Sequence, residues 1–134
     1  MIWLAAVGLA AAIPNYAAFR FSDKTIDAFQ SGAFKRCMDR SGGVTSNMRD
    51  CSEVEGKRID ALLNQEYRGA MARLMPAKRI VLRNQQRQWL KTRDQECLRK
   101  AKPDEGGTIW LLIMDDCGLS EDIRRTLWLR TVGR

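Results

Sequence analysis

Cys37, Cys51, Cys97 and Cys117 are the side chains of this sequence best suited to covalent chemistry, and their spacing decides which chemistry that is. No two form a C-x-x-C pair and the chain contains no histidine, so a zinc site would need four cysteines at unusual separations. No metal is expected. An even number of thiols without metal-ligand spacing reads as two disulfides. Nucleophilic catalysis finds no base: histidine is absent, and the S-x-x-K pattern that would let a lysine replace it does not occur. Asp115 and Asp116 are adjacent carboxylates, but neighbours on a helix point about 100° apart and cannot share one substrate. No glycine-rich phosphate loop is present either. The expectation is a protein that is not an enzyme and uses no cofactor.

The net charge of +7 shapes the surface. Arg83, Arg87 and Lys91 recur every four residues and form a basic ridge, expected opposite the stripe that carries Trp89. A solvated helix face is the plainest account of it. Contact with anionic envelope material, such as lipopolysaccharide, phospholipid headgroups or acidic glycan, is the functional one. Nucleic acid is not expected, because no aromatic ladder accompanies the arginines.

The elements that must position these groups are helical. Aromatic residues make up only 7% of the chain and β-branched residues are sparse, which excludes a sandwich or barrel. A helix is expected to start at Ser22-Asp23-Lys24-Thr25 and to run on through Ile26, Phe29, Ala33 and Cys37, until Ser41-Gly42-Gly43 breaks it. Thr45 or Ser46 caps the next helix, over about 46–74, with Met48, Cys51, Glu55, Ile59, Leu62, Leu63, Glu66, Ala70 and Leu74 on one stripe. Pro76 opens a third helix reaching about Lys100, with an inward stripe of Leu82, Gln86, Trp89, Leu90, Arg93 and Cys97. After a loop at 102–107, Thr108 caps a short apolar segment, Ile109 to Met114, and Ser120 caps a separate last helix. Trp110 and Trp128, in these last two pieces, are expected in the core.

Joined at Pro76, the two long helices should form an antiparallel hairpin with Leu63 near Trp89 and Glu66 near Gln86. Arg93 then lies on an inward stripe and needs a partner, because an unpaired buried charge is costly. Glu55 is the candidate, with Asp94 as the alternative, and the pair is expected to be structural. Two cysteine pairings fit this outline. Cys37 with Cys51 and Cys97 with Cys117 would clamp the two glycine turns, at ~3 kcal/mol for each loop. A Cys51–Cys97 bridge across the hairpin is also nearly in register.

Taken in order, Thr45-x-x-Met48-x-x-Cys51, Leu62-Leu63-Asn64 with Tyr67, Gln86-x-x-Trp89-Leu90-x-x-Arg93-Asp94-x-x-Cys97, Gly106-Gly107-Thr108-Ile109 and Cys117 resemble the LprI-like lysozyme inhibitor domain, over about residues 37–130. The resemblance implies an exported, helical bacterial domain, some members of which inhibit lysozyme, and it makes lysozyme the candidate protein partner. It transfers no contact residues. Many lysozymes are basic, so a basic inhibitor would need a local acidic patch for encounter. Asp104 and Glu105, with Asp115 and Asp116 nearby, are the acids from which such a patch would be made.

The first nineteen residues carry no charged side chain, and the apolar run Ile2 to Ile13 suits a signal-peptide h-region, although no Lys or Arg follows Met1. A retained anchor and a buried helix are the alternatives. The organisation expected is therefore a signal peptide at 1–18, a helical extension at 19–36 and the LprI-like domain at 37–134, located in the periplasm or secreted.

Overall fold

The computed structural model describes residues 12–134, which form five α-helices and, among the described residues, no strand. These are α1 (Asp23–Phe29), α2 (Gly32–Arg40), α3 (Thr45–Arg73), α4 (Pro76–Ala101) and α5 (Thr108–Leu129). Short 3-10 turns stand at Tyr16–Ala18 and Lys102–Asp104. The all-α, disulfide-stapled architecture expected from the sequence is the one formed. Among the described residues no helix is long and apolar enough to cross a membrane.

Three boundaries differ from expectation, each for a local reason. The first helix is broken in two: Ser22 caps α1 through Thr25 N–H, and Ser31 caps α2 through Phe34 N–H, so a second cap inside the run restarts the chain. The third helix begins one residue early, with Thr45 as its first residue and Val44 at the cap without a side-chain bond. The last two pieces are one helix. Gly118 and Ser120 lie inside α5, because burial of Cys117, Leu119 and Ile123 on its inner face outweighs their poor helix propensity.

The reversal between α3 and α4 takes only Leu74 and Met75, with Pro76 at the first helical position, where its missing N–H is harmless. The stripes forecast for these helices are largely the buried ones, except that Leu90, expected inward, is 40% exposed at an open groove between α3 and α4. Cys51, Glu55, Ile59, Leu63 and Ala70 of α3, and Leu82, Gln86, Trp89 and Cys97 of α4, all face inward. Leu63 and Trp89 share one core cluster, as their distances from the turn require. The close backbone neighbour of each long helix is nevertheless α5, which packs along both and fills the angle between them.

Two apolar clusters follow from this wedge. The larger lies near the hairpin tip and joins Leu74, Leu82, Trp89, Trp128, Leu129 and Val132. The smaller joins Ile26, Ile59, Leu119 and Ile123 midway along α5. Arg73 ties the tip to the end of α5, donating from Nε to Val132 O (2.7 Å) and from Nη2 to Leu129 O (2.9 Å). Leu129 O also accepts from Val132 N (3.3 Å), so the guanidinium joins the end of α5 to the turn that follows it.

The leader expectation for residues 1–11 lies outside the described residues. Of the remainder, Ala12 O accepts from Gly133 N (3.0 Å), and Ile13, Tyr16, Phe19 and Phe21 pack against the tip cluster.

Candidate functional site

At the end away from the tip the helices are held by covalent bonds. Cys37 is bridged to Cys51 and Cys97 to Cys117, with Cα separations of 5.8 and 5.6 Å. Of the two pairings left open by spacing, the one that clamps the turns is formed. Each turn relies on glycine at positive φ, at Gly42 (64°) and Gly43 (73°) in one and Gly106 (89°) in the other. The Cys97–Cys117 bond joins α4 to α5, and α3 packs against α5 as well. Between them opens a groove of about 510 Å³.

The groove is lined from three helices. Arg49, Asp50, Glu53 and Gly56 come from α3, Arg93, Asp94 and Cys97 from α4, and Met114, Asp115, Gly118, Leu119 and Asp122 from α5. Gly56 and Gly118 present no side chain, and a methyl at Gly56 would sit 3.9 Å from Leu119 Cδ2. Five carboxylates face two guanidiniums, so this is an acidic concavity on a protein of net charge +7.

Its arginines are fixed by α5. Arg93 donates from Nη1 to Asp122 Oδ1 (2.9 Å) and from Nε to Asp94 Oδ1 (3.0 Å), and its guanidinium lies 5.4 Å from the Trp89 ring centroid. Burial pushes the Asp122 carboxyl above its ordinary value, against the pull of Arg93. Arg49 donates from Nε to Asp115 Oδ2 (3.1 Å), bridging α3 to α5. Asp50 and Glu53 are exposed along the α3 wall.

Arg93 therefore has a partner, but not Glu55. The expected Glu55–Arg93 pair is corrected by the placement of α5, which brings Asp122 to Arg93 from the side that the hairpin outline left empty. Glu55 faces the break between α1 and α2, where it accepts from Ser31 N (2.8 Å) and from Arg58 Nε. Burial pushes its carboxyl up, but the bonds from Arg58 and Ser31 outweigh this and leave it below the ordinary range. Glu66 and Gln86, expected to lie near one another, are each bonded by α5 or its C-cap. Arg130 Nε donates to Glu66 (2.9 Å) and Arg125 Nε to Gln86 (2.8 Å).

The other anticipated residues are scattered by comparison. Asp115 lines the groove, whereas Asp116 is exposed outside it. Asp104 and Glu105 stay at the turn before α5, where Glu105 lines a smaller depression with Arg99, Lys102 and Trp110. Thr45 and Met48 lie in the first turn of α3, both partly buried beside the Cys37–Cys51 bridge. Trp128 is fully buried, and Trp110 is half-buried. Arg83, Arg87 and Lys91 are exposed. Arg83 and Arg87 also edge a second groove, between α3 and α4, that Leu63 and Trp89 line. Among the described residues no cluster of three metal-ligating side chains forms.

Sequence reasoning missed Arg125. It is 2% exposed, yet it stands next to Arg124 in an ordinary-looking charged run. The signal was its spacing, three and four residues before the core positions Trp128 and Leu129.

Fold and groove together define a small disulfide-stapled helical domain with an acidic concavity at its stapled end. The family model for the lysozyme inhibitor LprI matches residues 37–129, and the chain belongs to that family. Comparison with curated proteins and with solved structures finds no match.

Proposed function

We propose that this protein is an exported inhibitor of a lysozyme-type muramidase that acts stoichiometrically, by binding and occlusion, without turnover. The observation that carries the reading is the groove, in which five carboxylates gather on a chain of net charge +7. A basic target would be repelled by the exterior at large and drawn to this end. Two disulfides fit folding in an oxidising compartment, in the periplasm or beyond. The segment from Ile13 onward is retained in this reading, because Ile13 and Tyr16 pack against the tip cluster. Asp50, Glu53, Asp94 and Asp115 form the contact surface in this reading, with Asp104, Glu105 and Asp116 as flanking charge.

The test is a lysis assay at several molar ratios of inhibitor to enzyme, with two triple variants. Asp50→Asn/Glu53→Gln/Asp94→Asn is expected to weaken inhibition on the order of tenfold. Asp104→Asn/Glu105→Gln/Asp116→Asn should weaken it less. Absence of inhibition by the unaltered protein against every lysozyme class, or indifference to both variants, would refute the reading.

A second reading rests on Arg83, Arg87 and Lys91, which are exposed and form no ion pair within 4.0 Å among the described residues. They would hold the protein on anionic envelope surfaces. Binding to anionic vesicles that falls steeply with salt, and is lost in Arg83→Gln/Arg87→Gln/Lys91→Gln, supports it. Salt-insensitive binding removes it.

A further inference from the structure

Arg125 is a buried cation without a carboxylate. Its Nε donates to the neutral Gln86 (2.8 Å), while Nη2 is buried and has no acceptor among the described residues. The guanidinium instead lies against three aromatic rings, 4.1 Å from the Trp128 centroid, 4.7 Å from Tyr16 and 5.2 Å from Trp89. Ring faces attract a cation but supply no lone pair to its N–H groups. Burial pushes this arginine down to about 10, well below an ordinary guanidinium. Residues 1–11 cannot bring the missing counter-charge, because no acidic side chain occurs before Asp23.

This side chain lines a cavity of about 500 Å³ between α4 and the segment Ile13–Tyr16. Among the described residues Arg125 is its one charged lining residue, and no carboxylate is among them. The mouth carries Gln85, Gln88 and Thr92, three exposed hydrogen-bonding side chains at spacings that put them on one face of α4. An interior cation, aromatic walls and a rim of amide and hydroxyl groups suit a small carboxylate that also carries an amide.

We propose that this cavity is a binding site for a small amide-bearing carboxylate of the N-acyl amino acid class, whose carboxylate pairs with Arg125 and whose amide meets the Gln88 and Thr92 rim. The site is separate from the acidic groove and does not depend on lysozyme inhibition. The ligand restores to the arginine the charged partner that the fold withholds.

The probe pair is N-acetylalanine and its neutral isostere N-acetylalaninamide, titrated into the full chain. The readout is the indole N–H resonances of Trp89 and Trp110 in proton–nitrogen correlation spectra. N-acetylalanine should shift the Trp89 signal saturably, with a Kd in the millimolar range or tighter, and leave Trp110 in place. The amide should bind at least about tenfold more weakly, since it lacks the charge. Arg125→Gln should lose the response. If that variant does not fold, the exposed substitutions Gln88→Ala and Thr92→Ala decide, each expected to weaken binding a few-fold. Equal binding of acid and amide, no saturable Trp89 shift, or full affinity in both rim variants would overturn the proposal.

Discussion

The two ends of this molecule are stabilised by different means. At the hairpin tip, Leu74, Leu82, Trp128, Leu129 and Val132 are buried together and the chain needs no cross-link. At the other end, residues from the same three long helices line a polar groove, and both disulfides are found there. An acidic concavity cannot supply much apolar burial, so covalent closure takes over where the core thins out. A binding surface rich in carboxylates is thereby held on a rigid frame, while the remote end provides most of the hydrophobic stabilisation. The contrast predicts that the two ends respond differently to substitution.

The sharpest way to break the contrast is Trp128→Ala. This indole is fully buried, in edge contact with Tyr16 (5.4 Å between centroids) and in face contact with Arg125, so its loss should cost about 3–5 kcal/mol in denaturant unfolding. Trp110→Ala, at the stapled end and half-buried, should cost less than half of that. Equal costs would mean that the apolar core is not concentrated at the tip.

Next in size is removal of one staple. Cys97→Ser/Cys117→Ser opens a loop closed over 20 residues and should cost ~3 kcal/mol. Groove-dependent activity should fall with it, because the bond fixes α4 to α5 where Arg93 meets Asp122. Retention of full inhibition by the unbridged variant would show that the groove does not need its frame.

A smaller effect is expected within the groove. Arg93→Met strands Asp122 in a partly buried setting and should cost about 1–3 kcal/mol. The double variant Arg93→Met/Asp122→Leu should recover most of this, since an apolar pair can replace an ion pair at little net cost. Failure to recover would place the worth of Arg93 in its contact with Trp89 rather than in its charge.

Much of this arrangement was legible in the sequence, and what was not has one cause. The period of α3 and α4 identified nearly every inward residue, and the glycine turns marked the cysteine pairs as one of two options. Partnerships across helices were misread where α5 intervenes. Gly118 and Ser120 looked like a break, so a long wedge was divided into two short pieces, and the acids and arginines it carries were given no place. Asp122 for Arg93, Arg125 for Gln86 and Arg130 for Glu66 all belong to that one helix or its C-cap. Local propensity marks where a helix is weak, but tertiary burial decides whether it ends.

The finest comparison sets two carboxylates at the stapled half against each other. Glu55 is held below its ordinary value by Arg58 and Ser31, so its ionised form is favoured by folding. The stability it contributes is present above pH 4.5 and is lost as pH falls through its folded value. Asp122 is the reverse. Burial holds it above 3.8, so the folded protein takes up its proton more readily than the unfolded chain. Its ionisation costs stability as pH rises through that raised value. Thermal unfolding of the parent protein, Glu55→Gln and Asp122→Asn at pH 3 and pH 7 separates the two. The advantage of the parent over Glu55→Gln should grow with pH, to about 1 kcal/mol at pH 7. Its advantage over Asp122→Asn should shrink over the same interval. Slopes of the same sign would mean that Arg93 outweighs burial at Asp122, and the groove floor would then be an ordinary exposed ion pair.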